Sequence, residues 1–436
     1  IRDWFFELQA KQDQDTQQLM TEIGLAGDSL CSLQKATVSR TFLHKKSMGA
    51  VSRCPICNEA FPIQDGAICR GCQEGKLYAS LEGAVEGFAS PEQTLTAVPV
   101  TQAIGKTALH DMTRIVPGQH KGPAVRAGER ITAGDVCRLQ QMGRSSVFIQ
   151  ESEHPGADWI HEDEAALAMA QRMAGPGVEF SSSPREGKIN FFSKFEGLLQ
   201  VQSRALVCFN MVPNVMCASR KGLTVVDQGR PFAGCRALPL YISRLNLSRA
   251  LSSLGDEPLF EVLPLKPARV GVLVTGTEIF QGLIQDRFLP VIESKVERFK
   301  CSIVARDLVP DDRQAIKSSV RRMLKAGAEL VITTAGLSVD PDDVTRKGLL
   351  DAGMSEVLFG APILPGAMTL LGRINGAKII GVPACALFYP TTSFDLLLPW
   401  HLAGIAISRS DLARLAEGGF CLNCKSCTFP KCPFGK

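Results

Sequence analysis

At 436 residues the chain is too long for one hydrophobic core, and about two to four domains are expected from a usual domain size of about 100 to 200 residues. Its 45% hydrophobic and 21% charged residues suit a globular protein, and a net charge of +4 without an aromatic-basic ladder argues against nucleic acid as a partner. No run reaches the ~18 apolar residues that span a bilayer, so no membrane partner is expected either. Of the 15 cysteines, eight fall in two tight clusters of metal-ligand spacing, which points to a reducing cytoplasm rather than a disulfide scaffold. The chain opens at Ile1 without a methionine or a signal sequence and reads as a fragment with something absent upstream.

Residues 1–27 read as one or two polar helices with Trp4, Phe5 and Leu8 as their packing face, within a helical N-terminal segment over 1–50 that reads as the end of a truncated domain. Arg40, His44, Lys45 and Lys46 then form a solvated basic stretch. Cys54-Pro55-Ile56-Cys57, eleven intervening residues and Cys69-Arg70-Gly71-Cys72 follow, within 51–80. Two such knuckles at hairpin tips set four thiolates at tetrahedral positions, as in a structural zinc ribbon, whose closed site leaves no position for catalysis; the alternative, a redox dithiol, needs only one of the two pairs. This stretch resembles the zinc-ribbon end of formylmethanofuran dehydrogenase E-like proteins.

Glycines, Ser90 and Pro91 make 76–96 a linker. Gly105-Lys106, Asp111 to Arg114, Pro117-Gly118 and Lys121-Gly122 resemble the entry segment of MoeA-like proteins, although the Asp-Gly-Tyr-Ala stretch of that family is missing. Residues 125–131 have a hairpin-like pattern, and Asp135 is expected to start a helix to Met142. His161-Glu162-Asp163-Glu164 opens an apolar helix. Acidic residues suit the first turn through the macrodipole, and this outweighs a metal reading. Short β-rich runs to Pro264 suggest a small β domain, with Cys208, Cys217 and Cys235 as core residues. Residues 97–266 are taken together as a β-rich region.

From Arg269 the pattern becomes strand, helix, strand, helix, strand. Val270 to Val274 is an apolar run suited to a strand buried on both faces. Asp286 precedes a helix whose Phe288, Val291, Ile292, Val296 and Phe299 share one face. A strand at 302–305, a helix from about Asp312 to Leu324 and the run Leu330 to Thr334 complete a parallel sheet with helical crossovers. Carboxylates gather where these strands end: Glu278 and Asp286 after the first, Asp340, Asp342 and Asp343 after the third. They are able to hold a hard cation such as Mg²⁺ beside a phosphorylated ligand, or simply to cap helices.

Val274-Thr275-Gly276-Thr277-Glu278, Asp286, Gly336-Leu337-Ser338-Val339 with Asp343 and Thr345, Pro365-Gly366 and Gly381-Val382-Pro383 together resemble the molybdopterin-binding domain shared by MoeA and MogA proteins. The resemblance implies an α/β fold with a three-layer parallel or mixed sheet over 267–408, preceded by the zinc ribbon and the small β-rich domain. It implies molybdopterin as ligand or substrate, molybdate, and Mg²⁺. Glu278, Asp286 and Asp343 match the family's acidic site positions. Thr275, Gly276, Gly336, Ser338, Asp340, Thr345, Pro365, Gly366 and Pro383 are placed around the cofactor, in a homodimer or trimer. Departures are Ala335 for a glycine, Leu364 and Ala367 for lysines, and Ala384-Cys385-Ala386 for Gly-Asn-Pro.

In the tail, 417–436, Cys421, Cys424 and Cys427 at two-residue gaps precede Cys432-Pro433 after four residues. The run resembles an iron–sulfur motif; zinc and a thiol set that handles molybdenum or sulfur are the alternatives. Two functions remain open: a MoeA-like molybdenumtransferase, or a non-catalytic cofactor carrier serving a molybdenum-dependent dehydrogenase.

Overall fold

The computed structural model describes residues 95–116, 118, 120–151, 156–334 and 344–436, together with the backbone of 51–53 and 60–62. The expected N-terminal helices, most of the linker, Pro117 and the four cysteines Cys54, Cys57, Cys69 and Cys72 lie outside these residues, as do Gly336, Ser338, Asp340 and Asp343. The chain forms two compact units, Ile1–Ser90 and Pro91–Lys436. In the first, Val51–Arg53 pairs antiparallel with Ala60–Pro62, the strands flanking the first cysteine pair in sequence.

In the second unit, the region expected as one β-rich body over 97–266 has two hydrophobic cores. The smaller gathers Val100, Met112, Val125, Ile131, Leu139 and Ile149. Its hairpin pairs Met112–Val116 with His120–Val125, so 126–131 is the turn beyond the hairpin rather than the hairpin itself. The helix Ala133–Gln141 begins before Asp135, because Thr132 is the cap. Asp135 accepts the Thr132 amide at 2.9 Å while its own amide donates to Thr132 Oγ1 at 3.2 Å. The two orphan donors of the first turn are thereby satisfied reciprocally.

The larger core sits under a four-stranded antiparallel sheet ordered Val215–Ser219, Pro231–Ala237, Lys188–Ser193, Val178–Phe180. Helices Glu162–Met173, Ser203–Met211 and Arg244–Ser253 belong to the same body, so it is α+β rather than purely β. Phe191, Phe232 and Phe260 pack against one another, with Phe260 edge to face at 5.1 and 5.6 Å from the other two. Cys217 and Cys235 pair in register across adjacent strands, and both are buried. Burial pushes the Cys235 thiol up to about 12 and the Cys217 thiol higher still, the behaviour of inert core residues. Cys208 is only half-buried.

The α/β domain has six strands: β1 Arg269–Thr275, β2 Ser302–Val309, β3 Leu330–Thr334, β4 Ser355–Phe359, β5 Leu370–Ile374 and β6 Ala377–Val382. They are ordered β2-β1-β3-β6-β5-β4. The first four in that order run parallel, and β5 is antiparallel to both its neighbours, which makes the sheet mixed. The helices are α1 Thr277–Phe280, α2 Phe288–Glu297, α3 Arg313–Lys325, α4 Thr345–Asp351, α5 Ser393–Leu402 and α6 Arg409–Arg414. Side chains alternate along the buried strands. Val270, Val272 and Val274 enter a core with Phe288, Ile292 and Val296 of α2, whereas Leu273 enters a second core with Ile316, Val320 and Met323 of α3. Helices therefore cover both faces of the sheet, as continuous apolar strands require.

Candidate functional site

Chain order and spatial order diverge at β1, since β2 lies on one side of it and β3 on the other. Such a topological switch point leaves a crevice at the carboxyl ends of the strands, because the two outgoing connections part to opposite faces. Thr275, the last residue of β1, and Thr334, the last of β3, are fully buried at this crevice. Thr275 Oγ1 reaches Thr334 O at 3.0 Å and Thr345 Oγ1, at the start of α4, at 2.9 Å. That network ties β1 and β3 to the helix that follows the undescribed stretch 335–343. Among the described residues, the Oγ1 atoms of Thr333 and Thr334 are buried without a hydrogen-bond partner. An unpaired buried hydroxyl costs about 1–3 kcal/mol.

After β1, Gly276 takes φ +151°, a conformation that favours glycine, and turns the chain into α1. The Thr277 amide donates to Asp311 Oδ2 at 2.8 Å, and the Asp311 amide donates back to Thr277 Oγ1 at 3.1 Å. Asp311, just beyond the end of β2, thus fixes the turn that carries Glu278. Sequence reasoning missed it, although Pro310-Asp311-Asp312 offered the signal: Asp312 caps α3, leaving its neighbour for another task. Glu278 is exposed on α1. Asp286 accepts the amides of Phe288 at 2.7 Å and Leu289 at 3.4 Å. Its carboxylate is therefore engaged at the start of α2, the capping role that the sequence left open.

On the far side of the crevice, β6 ends at Val382 and Pro383 is buried behind it. The Leu364–Pro365 peptide is cis, and Gly366 follows at φ +123°. A Cβ at Gly366 would lie 2.1 Å from Ser393 Oγ, so this turn admits no side chain. Thr369 Oγ1 donates to Gly366 O at 2.8 Å and contacts Ser393 Oγ at 2.5 Å, while the Ser393 amide reaches Pro365 O at 3.2 Å. Ser393 and Thr369 are supports that the motif alone did not reveal. Lys295 of α2 joins Asp395 of α5 in an ion pair and donates to Pro390 O at 2.7 Å. Leu364 and Ala367 are exposed, and neither side chain carries charge.

The structure thus brings Thr275 and Thr345 together at the ends of β1 and β3, sets Gly276 and Glu278 in the turn after β1 that is bonded to the end of β2, and holds Pro365, Gly366 and Pro383 on the β5–β6 side. Asp343 and the other expected loop residues are outside the described residues. Among the described residues, no three His, Cys, Asp or Glu side chains are gathered so as to share a metal ion. His161, at the head of the acidic helix, accepts the Asp163 amide through Nδ1 at 3.2 Å, which assigns it to capping.

Comparison with known proteins bears on the same span. Residues 271–401 match the family described as a probable molybdopterin binding domain. Residues 45–79 match the FmdE treble clef zinc finger, a stretch that contains Cys54, Cys57, Cys69 and Cys72, the four expected zinc ligands. Residues 97–151 match a domain of unknown function. A CinA-like protein of Thermosipho melanesiensis is 33% identical over 127 residues, 26% of this chain and 31% of that protein. Another, from a Mycobacterium species, is 32% identical over 111 residues, 26% of each chain. The chain thus spans less than a third of the length of these curated relatives. Among solved structures, the molybdopterin biosynthesis enzyme MoaB of Thermus thermophilus aligns at 22% identity and TM-score 0.28, covering 32% of this chain and 98% of that one. The molybdopterin biosynthesis Mog protein of Mycobacterium ulcerans aligns at 20% and 0.28, covering 32% and 99%.

Proposed function

We propose that the crevice between β1 and β3 receives a phosphate-bearing pterin, and that the chain acts in molybdenum cofactor biosynthesis or insertion. The observation that carries this is a coincidence: the span 271–401, matched to a probable molybdopterin binding domain, builds a mixed sheet whose parallel strands have a switch point flanked by buried threonines and a glycine turn. The buried network of Thr275, Thr334 and Thr345 would hold in place the strand ends that the pterin meets. The turn at Gly276 leaves room for the phosphate to approach the backbone.

A MoeA-like transferase would use Glu278, Asp286 and Asp343 to hold Mg²⁺ against an adenylated pterin while molybdate is accepted. A cofactor carrier needs only the pocket. The engagement of Asp286 by two backbone amides, and the uncharged Leu364 and Ala367, favour the carrier. In that form the zinc finger is the docking surface for a molybdenum-dependent dehydrogenase, and the chain works in the cytoplasm as a homo-oligomer.

The deciding experiment supplies adenylated molybdopterin, Mg²⁺ and molybdate to the purified chain. Retained pterin with AMP release marks a transferase; retained pterin without AMP marks a carrier. Failure to retain any pterin, with affinity for ATP alone, would overturn both in favour of a nucleotide-binding regulator.

A further inference from the structure

Beyond the crevice, residues 420–436 form a segment that contains neither helix nor strand apart from one bridging residue, yet its path is fixed. Leu364 and Phe420 form a parallel bridge, with the Cys421 amide donating to Leu364 O and the Leu364 amide to Gly419 O, both at 2.8 Å. At the other end, the Gly435 amide reaches Gly418 O at 2.8 Å and closes the loop on itself. Gly418 has φ +83°, and a Cβ there would lie 1.9 Å from Lys436 O. Phe434 is 2% exposed in the same core as α2 and α5, beside Phe429.

On this clamped loop Cys421, Cys424, Cys427 and Cys432 line one pocket with Tyr389 and Thr391. Cys424 and Cys427 are exposed, unlike the core cysteines Cys217 and Cys235. Thr391 Oγ1 lies 3.3 Å from Cys427 Sγ, close enough to donate to a thiolate. Lys425, Lys431 and Lys436 accompany the four cysteines and no acidic residue does, so the loop carries positive charge to offset that of thiolates.

We propose that these four cysteines form a second, soft-metal centre in addition to the zinc finger, bound through four thiolates beside the Leu364–Gly366 turn. The three-cysteine run at two-residue gaps followed by Cys-Pro suits an iron–sulfur cluster, and four thiolates also suit zinc; the shared chemistry is soft-metal thiolate ligation. The four sulfurs face one pocket without converging on a point. Binding therefore gathers the sulfurs within the stretch between the two clamped ends, which has no hydrogen-bonded ladder to break, and releases the thiol protons. This centre does not depend on the pterin reading, because its content is read without any pterin.

The test is metal and acid-labile sulfide analysis of the full chain purified without oxygen, as wild type, Cys54→Ser/Cys57→Ser and Cys424→Ser/Cys427→Ser. The tail variant is expected to lose a centre that the finger variant keeps. Iron with sulfide and visible absorption identifies a cluster, and a second zinc identifies a mononuclear site; either supports the proposal. Because a variant that folds poorly would mislead, alkylation of the tail thiols in the wild type is followed with and without a chelator, and protection is expected to disappear on chelation. Unchanged metal content in the tail variant, or alkylation indifferent to the chelator, overturns the site.

Discussion

Glu162 stands at the first turn of an α-helix, where a negative charge is favoured, yet its side chain is only 9% exposed and has Asp163 next to it. Burial, then the charge of Asp163, raises its carboxyl from the ordinary 4.5 to about 7. The folded chain therefore holds this proton more tightly than the unfolded chain. The associated stability is complete below pH 4.5 and is lost as pH rises through about 7. Glu162→Gln keeps the shape and stays neutral. In urea unfolding it should exceed the parent by about 1–2 kcal/mol above pH ~7, allowing for solvent screening of a group at the rim of its body, and it should flatten the slope between about pH 5 and 7. A parent whose stability does not fall over that range would refute the burial argument. The acidic first turn was legible from the sequence. That one member is buried was not, because burial depends on Gly187 from a distant turn, whose Cβ position lies 2.5 Å from Glu162 Oε2.

Among the elements, those set by local periodicity were readable: β1, α2, α3 and β3 stand within a residue or two of the expected bounds. The strand expected at 302–305 runs on to Val309 because it stays paired with β1 along its whole length, as an edge strand of the sheet. Its second half carries Arg306 and Asp307, which read as loop but are paired with Glu293 at 2.6 Å and with Ser319 and Arg322 at 2.5 and 2.7 Å. The β5–β6 hairpin was missed despite its two-residue Asn375-Gly376 loop, both residues at positive φ, which is a strong local hairpin signal. The joint between α2 and α5 was also invisible, since Lys295 and Asp395 are a hundred positions apart. Both side chains are only about a sixth exposed, at 17% and 16%, and Asp395 also completes the cap of α5 by accepting the Thr392 amide at 2.7 Å. Lys295→Met leaves that carboxylate without its cation while preserving the aliphatic stem. The expected cost is about 1–3 kcal/mol, between that of an exposed pair and a buried one, measured as a lower urea midpoint at unchanged slope. A double variant Lys295→Met/Asp395→Asn that recovers none of the loss would show that the pairing is not the cause.

Across the second unit, the α+β body and the sheet domain share a core rather than merely touching. Leu198 lies on a strand of the α+β body yet is fully buried in the core built by β1, α2 and α5, with Leu223, Leu263 and Leu265 packed against it. Trp400 of α5 is buried there too, and its indole Nε1 donates to Leu223 O at 2.9 Å. An indole that fills apolar space while satisfying a backbone carbonyl of the neighbouring body couples the two thermodynamically. The same helix begins at Ser393 against the Gly366 turn, so the pose of the candidate crevice depends on how α5 is held at both ends. Trp400→Ala is predicted to cost about 3–5 kcal/mol and, more tellingly, to separate the unfolding of residues 156–265 from that of 269–416. In calorimetry the parent should show one transition for these bodies and the variant two, with ligand at the crevice raising only the sheet domain's. Trp400→Phe retains most of the apolar area but gives up the hydrogen bond, so its effect should be smaller and leave the transition single. Two separate transitions already present in the parent would mean that the shared core does not couple the bodies, and the crevice would then have to be understood from the sheet domain alone.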